Sequence, residues 1–112
     1  MSPQQADRRV HPRALLATNV EVETEGRSFL AVVGDVSAGG MLIHTANPAA
    51  AGSTVELSFS LPDRAAPIRT RAVVRHVGKG SSMGVQFTGL TADERAAILA
   101  FVLHSSKRQT PE

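Results

Sequence analysis

The sequence predicts an all-β domain closed by one C-terminal helix, built as a small antiparallel barrel or sandwich. Short alternations of apolar and polar residues recur along most of the chain, turn-forming residues separate them, and the helical pattern begins after Thr91. Alternation at period two marks half-buried strands, and short turns between them favour antiparallel neighbours over the helix-bridged crossovers of a parallel sheet. At 112 residues, 42% of them hydrophobic, the chain supports one compact core and is too short for two ordinary domains.

The elements follow in order. Met1 to Asp7 is polar and aperiodic, unlike a signal peptide, and is expected to be a disordered arm over residues 1–7. From Leu15 the chain becomes strand-like, with Val20 and Val22 alternating with Glu21 and Glu23, until Glu25-Gly26-Arg27 turns it. Ser28 to Gly34 is apolar on both parities, which predicts a strand covered on both faces. Met41 to Thr45 places Met41 and Ile43 on one face, Leu42 and His44 on the other. After a Pro- and Ala-rich loop over Asn47 to Gly52, Ser53 to Leu61 alternates without fault, so the face of Val55, Leu57, Phe59 and Leu61 must be core.

Pro62-Asp63 ends that strand, and Ile68 to Val77 makes a fifth, with Arg69, Arg71, Val73 and Arg75 expected on one solvated face and Ile68, Ala72 and Val74 on the other. Gly78 to Ser82 forms a hairpin loop into the sixth strand, where Met83, Val85 and Phe87 alternate with Gly84, Gln86 and Thr88. Thr91 can cap a helix, with Glu94 three residues on closing a capping box. Ile98, Leu99, Phe101, Val102 and Leu103 give that helix an apolar surface to lay on the open end of the sheet. Ser105 onward is polar and expected to be disordered, which sets the domain at residues 8–104 and a tail at 105–112.

Composition narrows the function. The chain has no Cys, so disulfides, thiolate metal sites and cysteine nucleophiles are excluded. No apolar run reaches the length of a membrane span, and a cytoplasmic protein without membrane insertion is expected. The net charge of +2 is modest; its arrangement in two arginine clusters, one at Arg8, Arg9 and Arg13 and one at Arg69, Arg71 and Arg75, matters more. His11, His44, His76 and His104 have no metal-ligand spacing, and Ser37 does not lie in a nucleophile elbow, so neither a metal or other cofactor nor an enzyme is expected.

Two segments carry candidate chemistry. Asp35-Val36-Ser37-Ala38-Gly39-Gly40 puts a carboxylate, a hydroxyl and two glycines in a turn between apolar runs. A carboxylate accepts two parallel N–H bonds, as from a guanine edge; Ser37 adds a hydroxyl; Gly39 and Gly40 permit positive φ and close approach of a ligand. Asp7-Arg8-Arg9-Val10-His11-Pro12-Arg13 sets three guanidiniums within six residues, and Pro12 keeps His11 out of the helical region, leaving an extended arm. Planar cationic forks on such an arm suit phosphate oxygens and the O6/N7 edge of guanine. Taken singly, an Asp-closed β-turn and a solvated basic terminus are the default explanations of the two segments, and only the pair together points to a site.

Together, RxxxR at Arg9 to Arg13 followed by DxSxxG at Asp35 to Gly40 resembles the PilZ domain family, whose members bind the bacterial second messenger cyclic di-GMP through these motifs. The likeness extends through Ala72-Val73-Val74-Arg75, Met83-Gly84-Val85-Gln86-Phe87 and the closing helix, nearly the whole chain. It implies a six-stranded antiparallel barrel in which Arg9 and Arg13 contact phosphate and guanine, Asp35 accepts from a guanine edge, Ser37 adds a polar contact, and Gly39 and Gly40 keep the turn open. It further implies that an Arg at position 8 goes with two stacked ligands per chain rather than one. The chain would then be an adaptor that orders its N-terminal arm on ligand and signals to a downstream protein. Two other readings compete: an interaction module that has lost the ligand, and a basic barrel that tracks nucleic acid along Arg69, Arg71 and Arg75. The second lacks Trp and Tyr, and Phe29, Phe59 and Phe87 fall in strand patterns that look buried, so no stacking platform is expected.

Overall fold

A computed structural model describes residues 12–78 and 81–109. The strands are β1 (Ala14–Leu15), β2 (Asn19–Thr24), β3 (Arg27–Val36), β4 (Gly40–His44), β5 (Thr54–Phe59), β6 (Ile68–Gly78) and β7 (Ser82–Phe87), followed by helix α1 (Ala92–Gln109). Every ladder is antiparallel, and the order β3-β2-β5-β6-β7-β4 closes on itself because β3 also pairs with β4. This is the expected six-stranded barrel with one addition, the two-residue β1, which joins the far end of β3 through Ala14↔Val36 and Leu15↔Asp35.

Alternation fills the barrel. Val20 and Val22 of β2, Val55 and Leu57 of β5, and Met41 and Ile43 of β4 point inward and are essentially solvent-free. Each such side chain stabilises the fold by about 1.5–3 kcal/mol through burial. Ile98 and Val102 of α1 join the same core. Its N-terminus is the predicted capping box: the Glu94 N–H donates to Thr91 Oγ1 at 3.1 Å, and the Thr91 N–H donates to Glu94 Oε1 at 3.0 Å. No helix among the described residues is long and apolar enough to cross a membrane.

Four expectations need correction. β3 is not covered on both faces: Ala31 and Val33 are core, but Leu30 and Val32 are 65% and 50% exposed, since a barrel with one helix buries a single side of this strand. Phe29 is only partly buried, with the Arg27 guanidinium 5.0 Å above its ring centre. β6 does not hold one alternation to its end, because its register on β7 shifts between Val74 and His76. That bulge leaves Arg75 and His76 both exposed. Finally, α1 continues to Gln109, past the expected break at Ser105, because no helix breaker stands between them.

Candidate functional site

The site is assembled where β1, β3 and β4 meet the bulged part of β6. β3 carries its own irregularity, with the register on β4 shifting between Val33 and Asp35. Gly34 fills the shift: a Cβ there would lie 2.7 Å from His44 Nε2, so a larger residue would displace the imidazole. Beyond it, Asp35 stands at the barrel rim. Arg13, one residue before β1, reaches it, and Arg13 Nε donates to Asp35 Oδ1 at 2.8 Å. Their side chains are 33% and 28% exposed, so the pair is open to exchange with a ligand rather than locked in the core.

The turn after Asp35 is braced internally. Ser37 Oγ accepts from the N–H groups of Gly39 and Gly40, both at 3.1 Å, and the Ser37 N–H donates to the Gly40 carbonyl at 2.8 Å. Ser37 is 1% exposed. Its hydroxyl therefore staples the turn, a role that the sequence did not assign to it. The glycines also act differently from expectation, since positive φ among the described glycines occurs at Gly26 and Gly52 and not at Gly39 or Gly40. Gly40 is demanded by packing: a Cβ there would run into the Val85 carbonyl oxygen of β7. Gly39 hands its carbonyl to the Phe87 N–H at 2.9 Å, and Arg95 of α1 donates to the Ala38 carbonyl at 3.4 Å, tying the turn to both β7 and the helix.

Arg13 and Asp35 line a shallow cleft of about 410 Å³ with Met41, Leu42, Arg75, His76, Gly84 and Val85. Arg75 Nε donates to Gln86 Oε1 at 2.6 Å, and His76 lies over Gly84, where a Cβ would clash with the ring. Arg75 and His76 were not among the candidate ligand residues read from the sequence. The signal that could have found them is the pair of adjacent polar residues after Val74, which breaks the alternation and marks a bulge. Arg8 and Arg9, like the arm at 1–7 and His11, lie outside the described residues. Among the described residues no group of three or more His, Asp or Glu could hold a metal ion.

Two guanidiniums, a carboxylate with one oxygen that takes no hydrogen bond among the described residues, an imidazole and a small apolar floor would suit a planar, anionic molecule bearing N–H donors. The nucleic-acid alternative loses its support here. Phe59 and Phe87 are buried and stacked on one another at 6.1 Å, and Arg69 and Arg71 share their exposed face with Glu21, Glu23 and Glu56, which would repel a phosphate backbone.

The comparisons agree with this architecture. The PilZ domain model matches residues 7–104. The structure is similar to that of the Bacillus subtilis inhibitor of motility, MotI/DgrA, with a TM-score of 0.84 at 20% identity over 92% of this chain and 53% of that one. It is similar to the PilZ domain with c-di-GMP of YcgR from Escherichia coli, with a TM-score of 0.69 at 13% identity over 90% and 93% of the two chains. It is also similar to the Borreliella burgdorferi PlzA protein in complex with c-di-GMP, with a TM-score of 0.68 at 14% identity over 88% and 42%. Likeness at such identities is one of fold, and this chain spans about half the length of the first of these neighbours. No curated protein matches the sequence. With the closed antiparallel barrel, the turn after Asp35 and a match over most of its length, the chain belongs to the PilZ domain family.

Proposed function

We propose that the domain is a receptor for cyclic di-GMP that acts as an adaptor, passing the signal to a partner protein rather than catalysing a reaction. The observation that carries this reading is the partly exposed Arg13–Asp35 pair at the edge of the cleft containing Arg75 and His76. It presents a bidentate donor and a carboxylate acceptor side by side, the combination needed for one phosphate and one guanine edge of the same ligand. PilZ-fold neighbours whose structures contain c-di-GMP support the choice of ligand.

In this reading Arg9 and Arg13 hold phosphate and the O6/N7 edge of guanine, and Asp35 accepts from the N1–H and N2–H edge. Ser37, Gly39 and Gly40 act indirectly, by keeping the turn in shape. Arg8 neutralises a second, stacked ligand. Ligand drawn against Arg8, Arg9 and Arg13 orders the N-terminal arm and changes the surface offered to a partner. Competition binding tests the assignment: cyclic di-GMP should bind far more tightly than GTP, GMP or a single-stranded oligonucleotide. Tighter binding of the oligonucleotide would instead favour nucleic acid, and no binding of either would favour a ligand-free interaction module.

A further inference from the structure

The outer wall formed by β2, β5 and β6 lies apart from the cleft at Arg13 and Asp35, and its charges are ordered by the strand register. Glu21 of β2 pairs with Ser58 of β5, which pairs with Arg69 of β6; one row along, Glu23 pairs with Glu56, which pairs with Arg71. Glu21, Glu23, Arg69 and Arg71 are all exposed. Adjacent strands are about 4.8 Å apart, so a column of carboxylates faces a parallel column of guanidiniums roughly 10 Å away. Between them Ser58 helps to floor a cleft of about 400 Å³. The two columns do not collapse together. The ion pair within the wall joins Arg71 to Glu56 at 3.4 Å, and Glu21, Glu23 and Arg69 make none among the described residues.

A partner for this wall must carry guanidiniums opposite the acidic column and carboxylates opposite the basic one, at the same spacing. A polyanion fails on the acidic side and a polycation on the basic side. A second copy of the chain meets both demands. When two walls meet face to face about a two-fold axis running along β5, β2 of one copy lies over β6 of the other. Glu21 then faces Arg69, Glu23 faces Arg71, and the same pairs recur on the other side of the axis. Ser58 meets its own counterpart on the axis, as does Glu56, and the Arg71 guanidinium, 3.4 Å from Glu56 of its own copy, stands between that carboxylate and Glu23 of the other. We propose that this wall is a self-complementary interface on which a second copy of the chain docks, held by reciprocal Glu21–Arg69 and Glu23–Arg71 pairs. The contact rests on solvent-exposed charges around a polar cleft, so the association is weak and sensitive to salt.

Charge reversal tests it. Sedimentation velocity of the full chain should show self-association at about 50 mM salt, weakened at least about tenfold at about 500 mM salt. Glu21→Arg with Glu23→Arg, and separately Arg69→Glu with Arg71→Glu, should each be monomeric under the same conditions, because each sets like charges opposite one another at every reciprocal contact. An equimolar mixture of the two variants should form a one-to-one heterodimer. Should either reversed variant fail to fold by circular dichroism, neutral versions carrying Gln at the same positions should still associate more weakly than the wild type. A wild type that stays monomeric up to about 1 mM, dimers that persist in both reversed variants, or a mixture that remains monomeric would each overturn the proposal.

Discussion

Arg13 Nε donates to Asp35 Oδ1 at 2.8 Å across 22 residues of sequence, joining the residue before the shortest strand to the rim of the longest turn-delivering strand of the site. Because both side chains are about one-third exposed, the pair adds little to folding. Arg13→Ala and Asp35→Ala should each cost up to about 1 kcal/mol of stability, the range of solvent-screened pairs. Urea denaturation checks this, and a loss above roughly 3 kcal/mol would mean that the pair is a structural clamp.

Ser37 should behave in the opposite way. Its buried hydroxyl satisfies the Gly39 and Gly40 N–H groups, so Ser37→Ala leaves two donors without an acceptor and should destabilise the domain by about 1–3 kcal/mol. Gly40→Ala, which sets a methyl group against the Val85 carbonyl, should destabilise by about 1–3 kcal/mol or prevent folding. Thermal and urea unfolding of both variants provide the measurement; wild-type stability for Ser37→Ala would show that the turn is not stapled through that oxygen.

Arg75 offers a test of the cleft that the motifs do not supply. It is exposed and bonded to Gln86, so Arg75→Ala should leave stability within about 0.5 kcal/mol of wild type. If the cleft binds the ligand, the same variant should weaken cyclic di-GMP binding by about tenfold, the loss of one charge-assisted contact. Unchanged affinity would place the ligand elsewhere on the rim.

The number of ligands tests Arg8. A second stacked cyclic di-GMP adds two phosphate charges and another guanine face, and an extra guanidinium can neutralise the former and stack on the latter. Native mass spectrometry should count two ligands on the wild type and fewer, approaching one, on Arg8→Leu with binding retained. Equal counts would show that Arg8 does not set the number.

The strands that were legible in the sequence are those whose burial is local. Val20 and Val22, or Val55, Leu57 and Phe59, alternate because each faces the core at every second residue, and a sequence displays that period directly. β1 is two residues long and exists because β3 offers it an edge near Asp35, which no local pattern announces. The register shifts at Gly34 and Arg75 are likewise properties of strand pairs; β6 alone shows the adjacent polar pair Arg75-His76, but not the partner strand against which the shift occurs. Leu30 and Val32 misled because apolar side chains on both parities look the same whether or not a second layer covers them. Within the site, the charges of Arg13 and Asp35 were legible as residue types with a matching chemistry. The inward role of Ser37 was not, since a hydroxyl can serve its own backbone or a ligand equally well until the turn closes around it.

The central claim is that Arg13 and Asp35 form the binding site of a cyclic di-GMP receptor, and isothermal titration calorimetry of the full chain tests it most directly. The wild type should bind cyclic di-GMP saturably. Arg13→Ala and Asp35→Ala, each confirmed as folded, should each lose about 2 kcal/mol of binding, roughly thirtyfold in affinity. Binding by both variants at the wild-type affinity, or no binding by the wild type, would contradict the account.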